Sequence, residues 1–154
     1  MGLEIERKFL LKNSDWRKLV EEENLIKQGY LNSNAERTVR VRVKNSTAFL
    51  TIKGKSQNTV RQEFEYEIPL VDAELMLKLC EPPLIEKTRF IVKYQGKTWE
   101  IDEFEGENKG LTVAEIELSS EDESFELPDW IGEEVSHDDR YFNSSLIKKP
   151  FSSW

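Results

Sequence analysis

The stretch LEIERKFLL, residues 3–11, decides how this chain folds. Glu4, Glu6 and Lys8 occupy alternate positions, and the run closes on Phe9, Leu10 and Leu11. A period of two marks a β-strand whose two faces meet different surroundings. Side chains two apart on a strand stand within about 7 Å of each other, at a rise of about 3.3 Å per residue. Two carboxylates that close repel unless a cation lies between them. Taken alone, the stretch reads as a solvent-facing strand at a sheet edge. The rest of the sequence changes that reading.

The same alternation recurs along the chain. In TVRVRVK (38–44), Arg40 and Arg42 alternate with valines; in TIKGK (51–55), Lys53 shares a face with Thr51 and Lys55. In VRQEFEYEI (60–68), Arg61, Glu63, Glu65 and Glu67 alternate with Phe64, Tyr66 and Ile68. In EKTRFIV (86–92), Lys87 and Arg89 share a face. In TWEIDEF (98–104), Glu100 and Asp102 alternate with Trp99 and Ile101; in TVAEIEL (112–118), Glu115 and Glu117 alternate with Ala114 and Ile116. Strands are expected over 3–11, 25–33, 36–45, 47–54, 59–69, 85–95, 97–105 and 111–119. Turn signals at Asn45-Ser46, Gly54–Asn58, Gln95-Gly96 and Gly106–Gly110 join them as antiparallel hairpins.

Three helices are expected in what remains. Ser14 or Asp15 caps the first, through about Glu22. Asp72–Cys80 (DAELMLKLC) forms the second, stopped by Pro82-Pro83 and packed on the barrel through Leu75, Met76, Leu77 and Leu79. Asp138 or Asp139 caps the third, from Arg140 to about Lys148. Eight strands and a few helices give an α+β class: a closed eight-stranded antiparallel barrel with helices packed outside. The chain of 154 residues suits one domain, residues 1–154.

Composition excludes several functions. The net charge of −8 disfavours nucleic acid and acidic membrane as partners. The single cysteine, Cys80, and single histidine, His137, exclude a disulfide framework, a Cys- or His-rich metal site and most His-dependent triads. His137 reads as a surface turn residue. No signal peptide or spanning segment is visible, so a cytoplasmic location is expected. Trp130 and Trp154 are expected to close a barrel end or to join two copies as a homodimer. Glu121–Glu126 reads as a solvated acidic loop.

Whether the charges line the inside or the outside of the barrel is the central ambiguity. Helices outside would cover the apolar faces and leave the charged faces within. The inward candidates are then the basic Lys8, Arg40, Arg42, Lys53, Arg61, Lys87 and Arg89, and the acidic Glu4, Glu6, Glu63, Glu65, Asp102, Glu115 and Glu117. Like charges are segregated by strand. A polyanion answers basic pairs, and arginine forks suit phosphate. A divalent cation answers acidic pairs, and an all-oxygen ligand set suits Mg²⁺ or Mn²⁺. Together they describe a tunnel for a metal–polyphosphate complex and phosphoryl-transfer chemistry.

These motifs resemble the CYTH-domain proteins, the triphosphate tunnel metalloenzymes. Glu4-x-Glu6-x-Lys8 matches that family's opening motif. Arg40-x-Arg42, Lys53, Arg61 with Glu63 and Glu65, Lys87-x-Arg89, Asp102, Glu115-x-Glu117 and the C-terminal EEVSHDDRYFN follow in order. The resemblance implies a tunnel open at both ends and metal-dependent hydrolysis or cyclisation of triphosphates. It implies that Glu4, Glu6, Glu115 and Glu117 hold Mg²⁺ or Mn²⁺. Arg40, Arg42, Lys53, Arg61, Lys87 and Arg89 would grip phosphates, with Glu63, Glu65 and Asp102 in support. EIERKFL (4–10) and KQGYL (27–31) resemble the small bacterial tripolyphosphatases, in which Lys8 and Tyr30 would act as a pair near the reacting phosphate. Inorganic tripolyphosphate is thus the expected substrate. The alternatives are a nucleoside or thiamine triphosphatase or a class IV-type adenylate cyclase, with Trp99, Phe104 and Tyr141 as candidate base-stacking residues, or a non-catalytic polyphosphate-binding module.

Overall fold

The computed structural model describes residues 2–154. Its strands are β1 (Leu3–Leu11), β2 (Val20–Asn32), β3 (Arg37–Lys44), β4 (Thr47–Gly54), β5 (Val60–Ile68), β6 (Glu81–Tyr94), β7 (Lys97–Phe104), β8 (Thr112–Glu117) and β9 (Ile131–Glu134). Helix α1 spans Leu70–Leu77 and α2 spans Asn143–Leu146. The order in the sheet is β5-β4-β3-β2-β6-β7-β8-β1-β9, and β1 also pairs with β5. That last pairing, Leu3↔Gln62 to Ile5↔Val60, closes eight antiparallel strands into a barrel. Beyond it, β9 pairs with Phe9 and Leu11 of β1, occupying the edge that β5 has left. Closure removes the exposed sheet edges that invite aggregation.

Apolar residues turn outward and are covered there. One cluster packs Phe9, Val92, Trp99, Ile101 and Ile116 beneath Trp16 and Trp130. A second gathers Ile85, Phe104, Val113 and Tyr141 with Leu146 and Ile147 from the C-terminal segment. A third seats Ala73 and Leu77 of α1 on Val41 and Ala48. Hairpin turns fall where expected: Asn45, Gln95 and Gly96 all have positive φ, as tight turns between twisted strands require.

Several elements differ from expectation. The first helix is a single 3-10 turn, Asp15–Leu19, anchored by buried Trp16. From Val20 the chain is already strand, because β2 pairs with β6 from Val20↔Val92 to Tyr30↔Glu81. That long ladder overrides the polar, helix-compatible local sequence. Helix α1 begins at Leu70, following Pro69, and ends at Leu77. Pro82-Pro83 lies within the start of β6 rather than capping the helix, and its peptide bond is cis. Leu77 and Met76 pack against the barrel, but Leu75 and Leu79 are exposed, at 58% and 77%. The expected C-terminal helix divides into a 3-10 turn, Asp139–Tyr141, and the short α2, because Phe142 between them is extended. Strand β9 has no counterpart in the sequence reading. Among the described residues, no helix is long and apolar enough to cross a membrane.

Candidate active site

The inward faces of the barrel strands enclose a cavity of about 200 Å³. Its walls carry Glu4, Glu6 and Lys8 from β1, Tyr30 from β2, Arg40 and Arg42 from β3, and Lys53 from β4. Arg61, Glu63 and Glu65 come from β5, Lys87 and Arg89 from β6, and Glu115 and Glu117 from β8. Asp102 is brought to the same place but stands behind the lining, almost without solvent access. The charged faces therefore point inward, and the charged candidates from the sequence, with Tyr30, line or back one cavity.

Ion pairs organise the lining. Lys53 Nζ lies 3.0 Å from Glu4 and 3.4 Å from Glu63. Arg40 lies 3.5 Å from Glu65, whose carboxylate also accepts a hydrogen bond from Thr51 Oγ1 at 2.8 Å. Lys8 Nζ lies 3.7 Å from Glu115 and donates to the Tyr141 carbonyl at 3.2 Å. Asp102 receives Arg89 through a two-pronged fork at 2.7 and 2.9 Å, and Lys87 at 2.7 Å. A bidentate fork of this kind fixes the guanidinium plane. Tyr30 is buried, lines the cavity and packs in the second apolar cluster.

These neighbours set the protonation states. Burial opposes ionisation of Asp102, but Arg89 and Lys87 hold its carboxyl far below the ordinary range. One carboxylate facing two cations leaves the second cation under-compensated. Burial, aided by Arg89 and Arg42, accordingly pulls Lys87 down to about 7 against the attraction of Asp102. Burial and the nearby Arg40 and Arg89 also lower Arg42. Burial is the largest single influence on Glu115 and opposes its ionisation, yet Lys8, Arg89 and Lys87 together outweigh it and hold the group at about 2. Glu6 is the opposite case. Burial, then Glu115 and Glu4, push its carboxyl up to about 8. Glu117 is raised by burial and by Glu4, Glu63 and Glu100. The lumen thus holds an acidic side with too few cations, centred on Glu6 and Glu117, which are direct partners across β1 and β8.

Some lining residues escaped the sequence reading. Glu100 faces inward, 3.4 Å from Arg89; its spacing of two from Asp102 was the available signal. Gln28 is fully buried, and its amide is used at both ends: Oε1 accepts from Arg42 Nε at 2.7 Å, while Nε2 donates to Asn143 Oδ1 at 3.0 Å. Asn143 Oδ1 also accepts from Lys87 Nζ at 2.8 Å. Asn143, with Phe142 and Ser144, also lines the lumen, so the C-terminal segment contributes part of its wall, where Asn143 meets the buried Gln28 and Lys87. Trp99, Phe104 and Tyr141, the candidate base-stacking residues, are buried in the outer clusters instead. Trp130 is likewise core, and Trp154 meets Tyr141 and Phe151 in T-shaped, edge contacts.

A sequence model of the CYTH domain matches residues 2–149, nearly the whole chain. The chain belongs to the CYTH-domain family. Among CYTH relatives, an inorganic triphosphatase of Acetivibrio thermocellus is 48% identical over 155 residues, covering 100% of this chain and 99% of that protein. An inorganic triphosphatase of Nitrosomonas europaea is 35% identical, covering 93% and 95% respectively. A crystal structure of an inorganic triphosphatase superposes with a TM-score of 0.66 at 33% identity, covering 93% of this chain and 96% of that one. The barrel fold is thus shared with that solved structure.

Proposed function

We propose that this CYTH protein hydrolyses inorganic tripolyphosphate to pyrophosphate and phosphate with the help of Mg²⁺ or Mn²⁺. The observation that carries the reading is the lumen itself: small, ionic on its walls, and lined in addition by Phe142, Asn143 and Ser144. A bare polyphosphate chain matches such walls. A nucleoside or thiamin moiety finds no exposed stacking surface among Trp99, Phe104 and Tyr141. The inorganic triphosphatases at 48% and 35% identity support the same reading.

The residues fit a divalent cation. Glu6 is held up to about 8 by burial beside Glu115 and Glu4, so its ionised form calls for a counter-charge. Mg²⁺ is commonly held by one or two carboxylates and completes its shell with water and substrate phosphate oxygens. Glu6 and Glu117, with Glu4 and Glu115 beside them, would hold the ion. When bound, it would neutralise phosphate oxygens and favour a hydroxide-like water.

The chain's own groups do the rest. Arg40, Arg42, Lys53, Lys87 and Arg89 neutralise the phosphates and the pyrophosphate that departs. Glu65 and Asp102 hold Arg40 and Arg89 in place. Glu63 supports Lys53. Lys8, tethered to the Tyr141 carbonyl, and the Tyr30 hydroxyl act on the reacting phosphate as donors. The test is phosphate release from tripolyphosphate, ATP and thiamine triphosphate, each with Mg²⁺, Mn²⁺ or EDTA, by wild type and Glu4→Gln. Release from tripolyphosphate alone, abolished by EDTA and by the substitution, is the expected result. Equal or faster turnover of an organic triphosphate would overturn the substrate assignment.

A further inference from the structure

A second cavity of about 220 Å³ adjoins the lumen. Arg61, Phe142 and Ser144 line both cavities, so these three side chains form the partition between them. The second chamber also carries Lys55, His137 and Asp139. Lys55 follows Lys53 at a spacing of two, at the end of the cationic row that enters the lumen on β4. With Arg61, the chamber has two permanent cations against the single carboxylate of Asp139, in a chain of net charge −8.

Arg61 differs from the other basic residues of the lumen. Among the described residues, Lys8, Arg40, Lys53, Lys87 and Arg89 each stand within 4 Å of a carboxylate. Arg42 is held by Gln28. Arg61 reaches only Thr38 Oγ1, at a marginal 3.5 Å, and its buried Nε has no partner. An unanswered guanidinium at a partition is a strong acceptor site for an oxyanion, since buried donors left unpaired are costly. Its guanidinium carbon lies 6.0 Å from the Phe142 ring centroid, so ring and cation face each other across the partition.

We propose that this chamber is a second oxyanion subsite, which receives inorganic orthophosphate passed from the lumen by Arg61. The inference rests on the phosphoanhydride-hydrolysis reading for the origin of that phosphate. Lys55 and the Ser144 hydroxyl complete the subsite from the solvent side. Orthophosphate then leaves through this chamber, while pyrophosphate leaves from the lumen directly.

The test titrates the full chain with inorganic phosphate and follows the backbone amide resonances of Lys55 and Ser144, without turnover. Hydrolysis of tripolyphosphate and its inhibition by phosphate are measured in parallel on wild type, Lys55→Glu and His137→Ala. Saturable shifts at both amides are expected in wild type. In Lys55→Glu, phosphate affinity and inhibition should weaken by about tenfold, with KM for tripolyphosphate unchanged. Absence of the amide shifts, or undiminished inhibition of Lys55→Glu, would overturn the subsite. If Lys55→Glu instead raises KM for tetrapolyphosphate and leaves phosphate inhibition intact, the chamber holds the end of a longer chain and the orthophosphate assignment falls. Failure of wild type to hydrolyse tripolyphosphate would defeat the hydrolysis reading, and the amide titration would still decide the subsite.

Discussion

Lys87 and Asp102 lie 2.7 Å apart in the barrel wall, with side chains only 1% and 2% exposed. The same carboxylate holds Arg89 through two hydrogen bonds. Removing one partner of a buried pair costs about 3–5 kcal/mol, because the other charge is left uncompensated. Asp102→Asn should therefore lower the melting temperature by about 10 °C. A melting temperature within a degree or two of wild type would show that solvent reaches Lys87 and Arg89 after all.

Acid should act through the same carboxylate. Its folded-state pKa lies far below the ordinary value, so its contribution to stability is present above about pH 4 and is lost as pH falls through the folded-state value. Urea unfolding followed from pH 7 to pH 2 should show a loss below pH 4 in wild type that is smaller in Asp102→Asn. Identical acid profiles would remove Asp102 as the source.

Glu6 makes the opposite prediction. In the metal-free protein its carboxyl is crowded by burial, Glu115 and Glu4. Glu6→Gln should therefore stabilise the metal-free fold, by about 1–3 kcal/mol at pH 7, while abolishing metal-dependent phosphate release. Denaturant midpoints in EDTA, paired with the phosphate-release assay, check both halves. A destabilised Glu6→Gln would mean that its neighbours already compensate the charge.

Gln28 joins Arg42 to Asn143 through the two ends of one buried amide. Gln28→Leu leaves Arg42 Nε without its acceptor, at about 1–3 kcal/mol for a group kept dry, while Asn143 Oδ1 keeps Lys87 as a donor. Catalytic efficiency should fall about tenfold, as expected when a phosphate-gripping arginine is misplaced. Glu, which keeps the acceptor for Arg42, should restore more activity than Leu. Equal losses for Gln28→Leu and Gln28→Glu would indicate packing rather than orientation of Arg42.

Gly29 packs where no side chain fits. A Cβ there would meet Leu84 Cδ2 at 2.6 Å and Cys80 Cβ at 2.7 Å. Gly29→Ala should destabilise the fold by about 1–3 kcal/mol through overpacking. Thermal unfolding checks this, and an unchanged midpoint would mean that Leu84 and Cys80 move aside freely.

Local pattern carried much of the structure. Strands β1 and β4 match their expected limits because alternation and turn residues coincide at their ends. The early part of β2 was missed because Glu21, Glu22 and Glu23 show no alternation; the partner β6 makes them a strand. Strand β9 is four residues long and exists by pairing with β1. Glu100 was legible in principle, two residues from Asp102. Phe142 and Asn143 end the EEVSHDDRYFN motif, but no periodicity places them against the distant lumen.

By itself, the sequence determined the period of the strands, the segregation of like charges among them, and hence the expectation of a metal–polyphosphate site. Tertiary structure decided which face is inside, which cations remain unanswered, and that the C-terminal segment lines the lumen. The reason is separation along the chain. Alternation is a property of neighbouring residues, whereas Lys8 meets the Tyr141 carbonyl across 133 positions and the barrel closes through three residue pairs between β1 and β5. Such contacts form only once the whole sheet has curled upon itself, and no local pattern encodes them.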